Sequence, residues 1–216
     1  MTGKQAKGIS LQQFAVIAAM TILTALGSLL IPPSVVTAND TYGSGSYGSC
    51  TYNSCGITFS ADAAVSLNVT PAAGLTQCSV ASATVQVQTD SSTGYTLSMT
   101  DTDTDTTLND GGSGSIATTS GTSASPTALT AGKWGYRVDG INGFGAGPTS
   151  AVSSGAVPSL NFAAVPASNT TPDTIASSSV AANPAVSTNV WFGLCINATQ
   201  RSGNYTDSVT YTAVVN

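Results

Sequence analysis

After residue 38 the apolar side chains recur at every second position, in short runs separated by turn residues, and no stretch repeats with a helical period. Val65, Leu67 and Val69 alternate with Ser66, Asn68 and Thr70 until Pro71 ends the run. Val85 and Val87 alternate with Thr84, Gln86 and Gln88. Thr93-Gly94 turns into Tyr95, Leu97 and Met99, and Asn109-Asp110-Gly111-Gly112 turns into Ile116. Leu160 and Phe162, then Ile175, then Val190 to Leu194 mark later strands. The chain closes on Tyr205, Asp207, Val209, Tyr211, Ala213 and Val215 set against Thr206, Ser208, Thr210 and Thr212. Such spacing predicts an all-β chain, an antiparallel β-sandwich of the Ig-like or jelly-roll kind with roughly eight to ten strands. Composition agrees, because Thr, Val and Ser abound while helix-forming Glu is absent.

The heaviest strand is Lys133-Trp134-Gly135-Tyr136-Arg137-Val138-Asp139-Gly140. Read with period two, Trp134, Tyr136 and Val138 point inward and Lys133, Arg137 and Asp139 outward. Trp and Tyr each bury on the order of 200 Å², so this strand is expected to anchor the core. Arg137 and Asp139 are expected to form a surface ion pair of small value.

Residues 1–38 read as an export segment. Lys4 and Lys7 precede an uncharged, largely apolar run from Phe14 to Ile31, which makes a hydrophobic helix. Pro32-Pro33 breaks it, and Val36-Thr37-Ala38 forms a signal-peptidase site. Two other readings stand beside cleavage after Ala38. One is an uncleaved anchor, with membrane contact only through residues 14–31. The other is a prepilin-type leader cut after Gly8, although Gln13 stands where that motif has glutamate. All three place the remainder outside the cytoplasm, secreted or at the cell surface. Residues 39–49 form a Gly/Ser/Tyr linker, and the sandwich spans 50–216.

Cys50, Cys55, Cys78 and Cys195 all lie in the exported part. An even count there indicates two disulfides, for which three connectivities exist. Cys50–Cys55 as a local loop and Cys78–Cys195 as a staple across the sandwich is the favoured pairing.

Several chemistries are excluded by residue type. With no histidine, neither a Ser-His-Asp nor a Cys-His set can form. Five cations against ten aspartates leave nothing to neutralise phosphates, so no nucleic acid is expected as a partner. Gly143-Phe144-Gly145-Ala146-Gly147 lacks nucleotide-loop spacing and reads as a surface loop with Phe144 folded back on it. Asp101, Asp103 and Asp105 continue the inward phase of Tyr95, Leu97 and Met99, where unpaired carboxylates are prohibitive. Either the strand ends near Thr100 in a solvated turn, or these acids hold calcium at the rim; no other cofactor is expected. The spacing departs from an EF-hand at Thr106 and Gly112. Trp134 and Trp191 read either as core anchors or as a glycan-stacking platform.

The runs Ser91-Ser92-Thr93-Gly94-Tyr95-Thr96-Leu97, Trp134 to Gly140 and Gly203-Asn204-Tyr205-Thr206-Asp207-Ser208-Val209-Thr210-Tyr211-Thr212 resemble uncharacterised exported proteins of ultrasmall candidate-phylum bacteria of the Saccharibacteria-like kind. That resemblance implies a surface-exposed β-sandwich and supplies no activity or site. The expected function is therefore a non-catalytic structural or adhesive protein of the cell surface that self-associates or binds envelope polymers. A carbohydrate-binding module and a pilin-like filament subunit are the alternatives.

Overall fold

The computed structural model describes residues 18–22, 56–157 and 160–216. Fourteen strands form its regular structure, and no helix occurs among the described residues. They begin with β1 (Ala18–Ile22), β2 (Ile57–Ala61), β3 (Ala64–Ser66), β4 (Gln77–Thr89) and β5 (Tyr95–Asp101). β6 (Leu108–Asn109), β7 (Ser115–Thr118), β8 (Thr127–Ala128), β9 (Lys133–Val138) and β10 (Val152–Gly155) follow. The last are β11 (Asn161–Phe162), β12 (Asp173–Ser178), β13 (Ala182–Ile196) and β14 (Tyr205–Val215). The count exceeds the expected eight to ten in part because strands of two residues, such as β6 and β8, are too short to alternate.

Twelve strands form one continuous sheet whose two halves face each other across the core. One half runs β3–β1–β14–β5–β12. In the other, β2 and β10 flank β4, which pairs with β13, which pairs with β9. β7 joins them at one end, pairing with β6 on one side and β9 on the other. The sheet is mixed rather than purely antiparallel, since β1 with β3 and β7 with β9 are parallel. Ala18–Ile22 lies inside the stretch read as an export helix and runs here as a strand against β14. The rest of 1–38, the 39–49 linker and the Cys50–Cys55 pair lie outside the described residues.

The core between the halves takes Leu97, Met99 and Tyr211 from one side and Val85, Trp134 and Phe192 from the other. Trp134 is fully buried, and its indole N–H donates to the Thr106 carbonyl at 3.0 Å. Tyr136 donates its hydroxyl to Asp173 at 2.6 Å, and Ser123 donates to the same carboxylate at 2.7 Å. Phe144 folds back from its loop to meet Tyr136 edge-on, with centroids 5.5 Å apart.

The outward half of the period-two reading fails at β9. Its other face is also buried, under a third layer built from the two-stranded β8–β11 sheet and residues 140–148. Phe162, Val80 and Trp191 pack there with Leu129 and Leu160. Glycine makes the seat. A Cβ on Gly193 would stand 2.4 Å from the Phe162 ring, and one on its cross-strand neighbour Gly135 would stand 2.5 Å from the Ala163 carbonyl.

Arg137 is therefore not a surface cation but 0% exposed. Its guanidinium donates to the carbonyls of Phe144 (2.9 Å), Gly145 (3.2 Å), Ala146 (3.2 Å) and Asn161 (3.3 Å). It also pairs with Asp139 at 3.3 Å, while Phe162 lies against it at 6.0 Å. Lys133 is half-buried, and Asp139 alone of the three expected outward groups is exposed. Even Asp139 is engaged, accepting the Trp191 indole N–H at 3.1 Å.

Cys78 and Cys195 form a disulfide, as favoured, but they are direct cross-strand partners on β4 and β13. The bridge thus locks neighbouring strands of one layer rather than stapling the two layers together.

Arg137→Ala would strip four carbonyls of their donor and is expected to cost about 3 kcal/mol in urea unfolding. Arg137→Lys should recover less than half of that loss, because an ammonium cannot reproduce the planar fork. Replacing both Cys78 and Cys195 by Ala opens a loop with sequence separation 117. It should cost about 4 kcal/mol by the same measurement.

Candidate functional site

The alternation that buries Tyr95, Leu97 and Met99 of β5 turns Thr96, Ser98 and Thr100 to the outside. On β14, Tyr211 and Ala213 face inward, and Ser208, Thr210, Thr212 and Val214 face out. Register brings these together, Thr210 opposite Thr100, Thr212 opposite Ser98 and Val214 opposite Thr96. β12 adds Thr174 opposite Ser98 and Ser177 opposite Thr96. The result is a three-stranded face of small hydroxyl side chains without a charge among them. Strands in such a face stand about 4.8 Å apart, with successive outward residues about 6.7 Å apart along each strand. Val214, half exposed, is its one large apolar side chain.

A second uncharged face lies across the molecule. Thr58 and Ser60 of β2, Gln86 and Gln88 of β4, and Ser187 and Asn189 of β13 are exposed there. Register sets Gln86 between Ser60 and Ser187. The amides are partly self-satisfied, Thr84 donating to Asn189 at 3.2 Å and Gln88 to Asn183 at 3.4 Å.

An acidic rim closes one end of the hydroxyl face. β5 ends at Asp101, one residue beyond the expected end near Thr100, and Asp101 is 1% exposed. The three aspartates do not converge. Each caps the backbone two residues on, in a ladder of side-chain turns. Asp101 accepts from the Asp103 N–H at 3.0 Å, Asp103 from Asp105 at 2.7 Å, and Asp105 from Thr107 at 3.1 Å. Asp105 also accepts from the Thr107 hydroxyl and the Asn109 amide, which holds its carboxyl below the usual range. Among the described residues no three carboxylate or cysteine groups gather where a metal ion would sit. The expected Asp101, Asp103 and Asp105 set is thus dispersed by its own turn.

The neighbour that sequence reading passed over is Asp207. It occupies the inward phase of β14 between Tyr205 and Val209, both buried. An aspartate in the apolar phase of an amphipathic strand was the legible signal. Burial, and then the charge of Asp101, push its pKa from the ordinary 3.8 up to about 8. Burial likewise raises Asp101, against the pull of the Asp103 N–H.

The two tryptophans lie on opposite faces of the β9–β13 pair, Trp134 in the main core and Trp191 under the outer layer. At 0% and 6% exposure neither ring is open to a sugar, so they form no glycan platform. A cleft lined by Pro71, Ile116, Ile196 and Tyr205 holds only about 60 Å³, far below the several hundred of a small-molecule site. Comparison with protein-family models, with curated proteins and with solved structures finds no match.

A raised carboxyl pKa means that the folded chain keeps a proton which the unfolded chain has already released. The stabilisation is complete below pH 4 and is lost as pH rises toward about 8. In metal-free buffer, urea unfolding should show stability falling across that window. Asp207→Asn should flatten the slope, and an unchanged slope in that variant would contradict the assignment.

Proposed function

We propose that this chain is a non-catalytic structural or adhesive protein of the cell surface, a sandwich of the Ig-like or jelly-roll kind, with the hydroxyl face of β12–β5–β14 as its contact surface. The observation that carries this reading is the face itself, an uncharged array of Thr and Ser on three paired strands. Hydroxyls spaced by a regular sheet offer donors and acceptors without ionic selectivity. That suits an extended neutral polymer of the envelope, or the same face of a second copy, better than a small charged ligand. Threonine adds methyl groups, so contact also removes apolar area from water. The Cys78–Cys195 disulfide is consistent with a location outside the cytoplasm. Export through residues 1–38 and the resemblance to exported surface proteins agree with that location. Burial of both rings removes tryptophan stacking as a support for the carbohydrate-module alternative. The pilin-like alternative rests on residues 1–17, outside the described part.

Binding to purified cell envelopes, followed by sedimentation, tests the reading. Wild-type chain should co-sediment, and Thr210→Lys on the β14 strand of the face should weaken this at least about tenfold, since a buried unpaired charge opposes contact. Gln86→Lys on the opposite face should leave it unchanged. A wild-type chain that stays in the supernatant, or a Thr210→Lys variant that binds equally, would remove the basis for this function.

A further inference from the structure

We propose that the gap between β14 and β3 is a strand-acceptor site, and that Ala18–Ile22 of a second copy of this chain fills it. β1 lies between those two strands, antiparallel to residues 205–209 of β14 and parallel to Ala64–Ser66 of β3. Among the described residues β3 has no other ladder partner.

Both walls of the gap hold their places without β1. β14 is fixed on its other edge by β5 and β6. β3 is tied at both ends to the opposite half of the sheet. Before it, Asp62 donates its N–H to the Thr84 carbonyl at 3.1 Å, and its carboxylate accepts the Thr84 N–H at 2.8 Å. After it, Ser153 donates to the Asn68 carbonyl at 3.2 Å, and the Ser154 hydroxyl accepts the Thr70 N–H at 2.6 Å. Val65, Leu67 and Val69 are buried in the main core. Walls separated by one strand stand about 10 Å apart, which admits an extended segment and not a helix with its side chains. Backbone N–H and C=O groups along the walls select a strand as the occupant.

β1 pairs only with β14 and β3 among the described residues, and residues 23–56 join it to β2. A connection of that length reaches on the order of 100 Å at full extension, well past one domain. Passing β1 to a neighbour keeps every ladder bond, so the own strand and a second copy's differ only in the tether. So long a tether supplies at most about a millimolar effective concentration, which copies crowded on a surface match. Each copy carries donor and acceptor at different places, so exchange is head-to-tail and open, the geometry of a fibre or coat. This choice of partner rests on the cell-surface reading above. Residues 18–22 must then stay on the exported chain, outside the membrane.

Disulfide trapping in purified full-length chain tests it, with Cys50 and Cys55 changed to Ser. Ala19 is the register partner of Ser208. Chains carrying Ala19→Cys, refolded at about 1 mM with chains carrying Ser208→Cys, should form a covalent heterodimer. Partner chains carrying Gln86→Cys, exposed on the opposite half, should not. Met20→Pro beside Ala19→Cys should lower the yield at least about tenfold, because proline removes a ladder N–H in the middle of the gap. If both cysteines in one chain close only within that chain, β1 belongs to its own copy and the proposal is overturned. Equal trapping by Gln86→Cys, or no trapping of either kind, overturns it too. N-terminal sequencing of exported protein should find residues 18–22 present, and a chain beginning at Asn39 would contradict it. None of these readouts involves envelope binding, so strand exchange and the surface reading can fail separately.

Discussion

The fold depends on β9 lying against β13 with both faces of the pair sealed. On one side Trp134 and its partner Leu194 fill the main core. On the other, Arg137 opposes Trp191, and Gly135 opposes Gly193. The glycines leave a hollow that Phe162 fills, and the guanidinium gathers four carbonyls of the covering segments. A buried cation in a layer otherwise held by small apolar contacts is costly to desolvate. It persists because each of its three guanidinium nitrogens meets a carbonyl or Asp139. The same contacts pin residues 140–148, a glycine-rich stretch that could not otherwise hold one path.

Period-two patterning made most of the fold legible. Every run singled out by alternation, from Val65–Val69 to the closing strand, contributes buried side chains at the expected phase. What alternation cannot reveal is a third layer, because it assumes that the outward phase meets water. Arg137 and Trp191 share an outward phase that is buried, and the clue was the glycine two residues from each in that same phase, Gly135 and Gly193, which oppose one another. Parallel pairs such as β7 with β9 were equally hidden, since two residues of pairing leave no periodic signal.

The site was legible in part. Asp101 to Asp105 drew attention through its phase, and the physical dilemma was posed correctly: buried carboxylates must be turned out or compensated. The molecule does both. Asp103 and Asp105 turn out through side-chain caps, while Asp101 stays in and meets Asp207. Pairing across such a separation cannot be read from local spacing. The hydroxyl face, by contrast, is the plain complement of the inward phase on β5 and β14, visible in sequence as Thr and Ser at every second position. It became a surface only when register set those strands side by side.

Hydrogen exchange resolved by mass spectrometry tests the central claim most directly, because it reads the sealing of β9 and β13 amide by amide. Residues 134–138 and 190–194 should exchange slowest in the molecule, only through global unfolding. In Arg137→Ala the 140–148 segment should lose protection first, before the main core. Fast exchange across β9 and β13 in the wild-type chain would contradict the account.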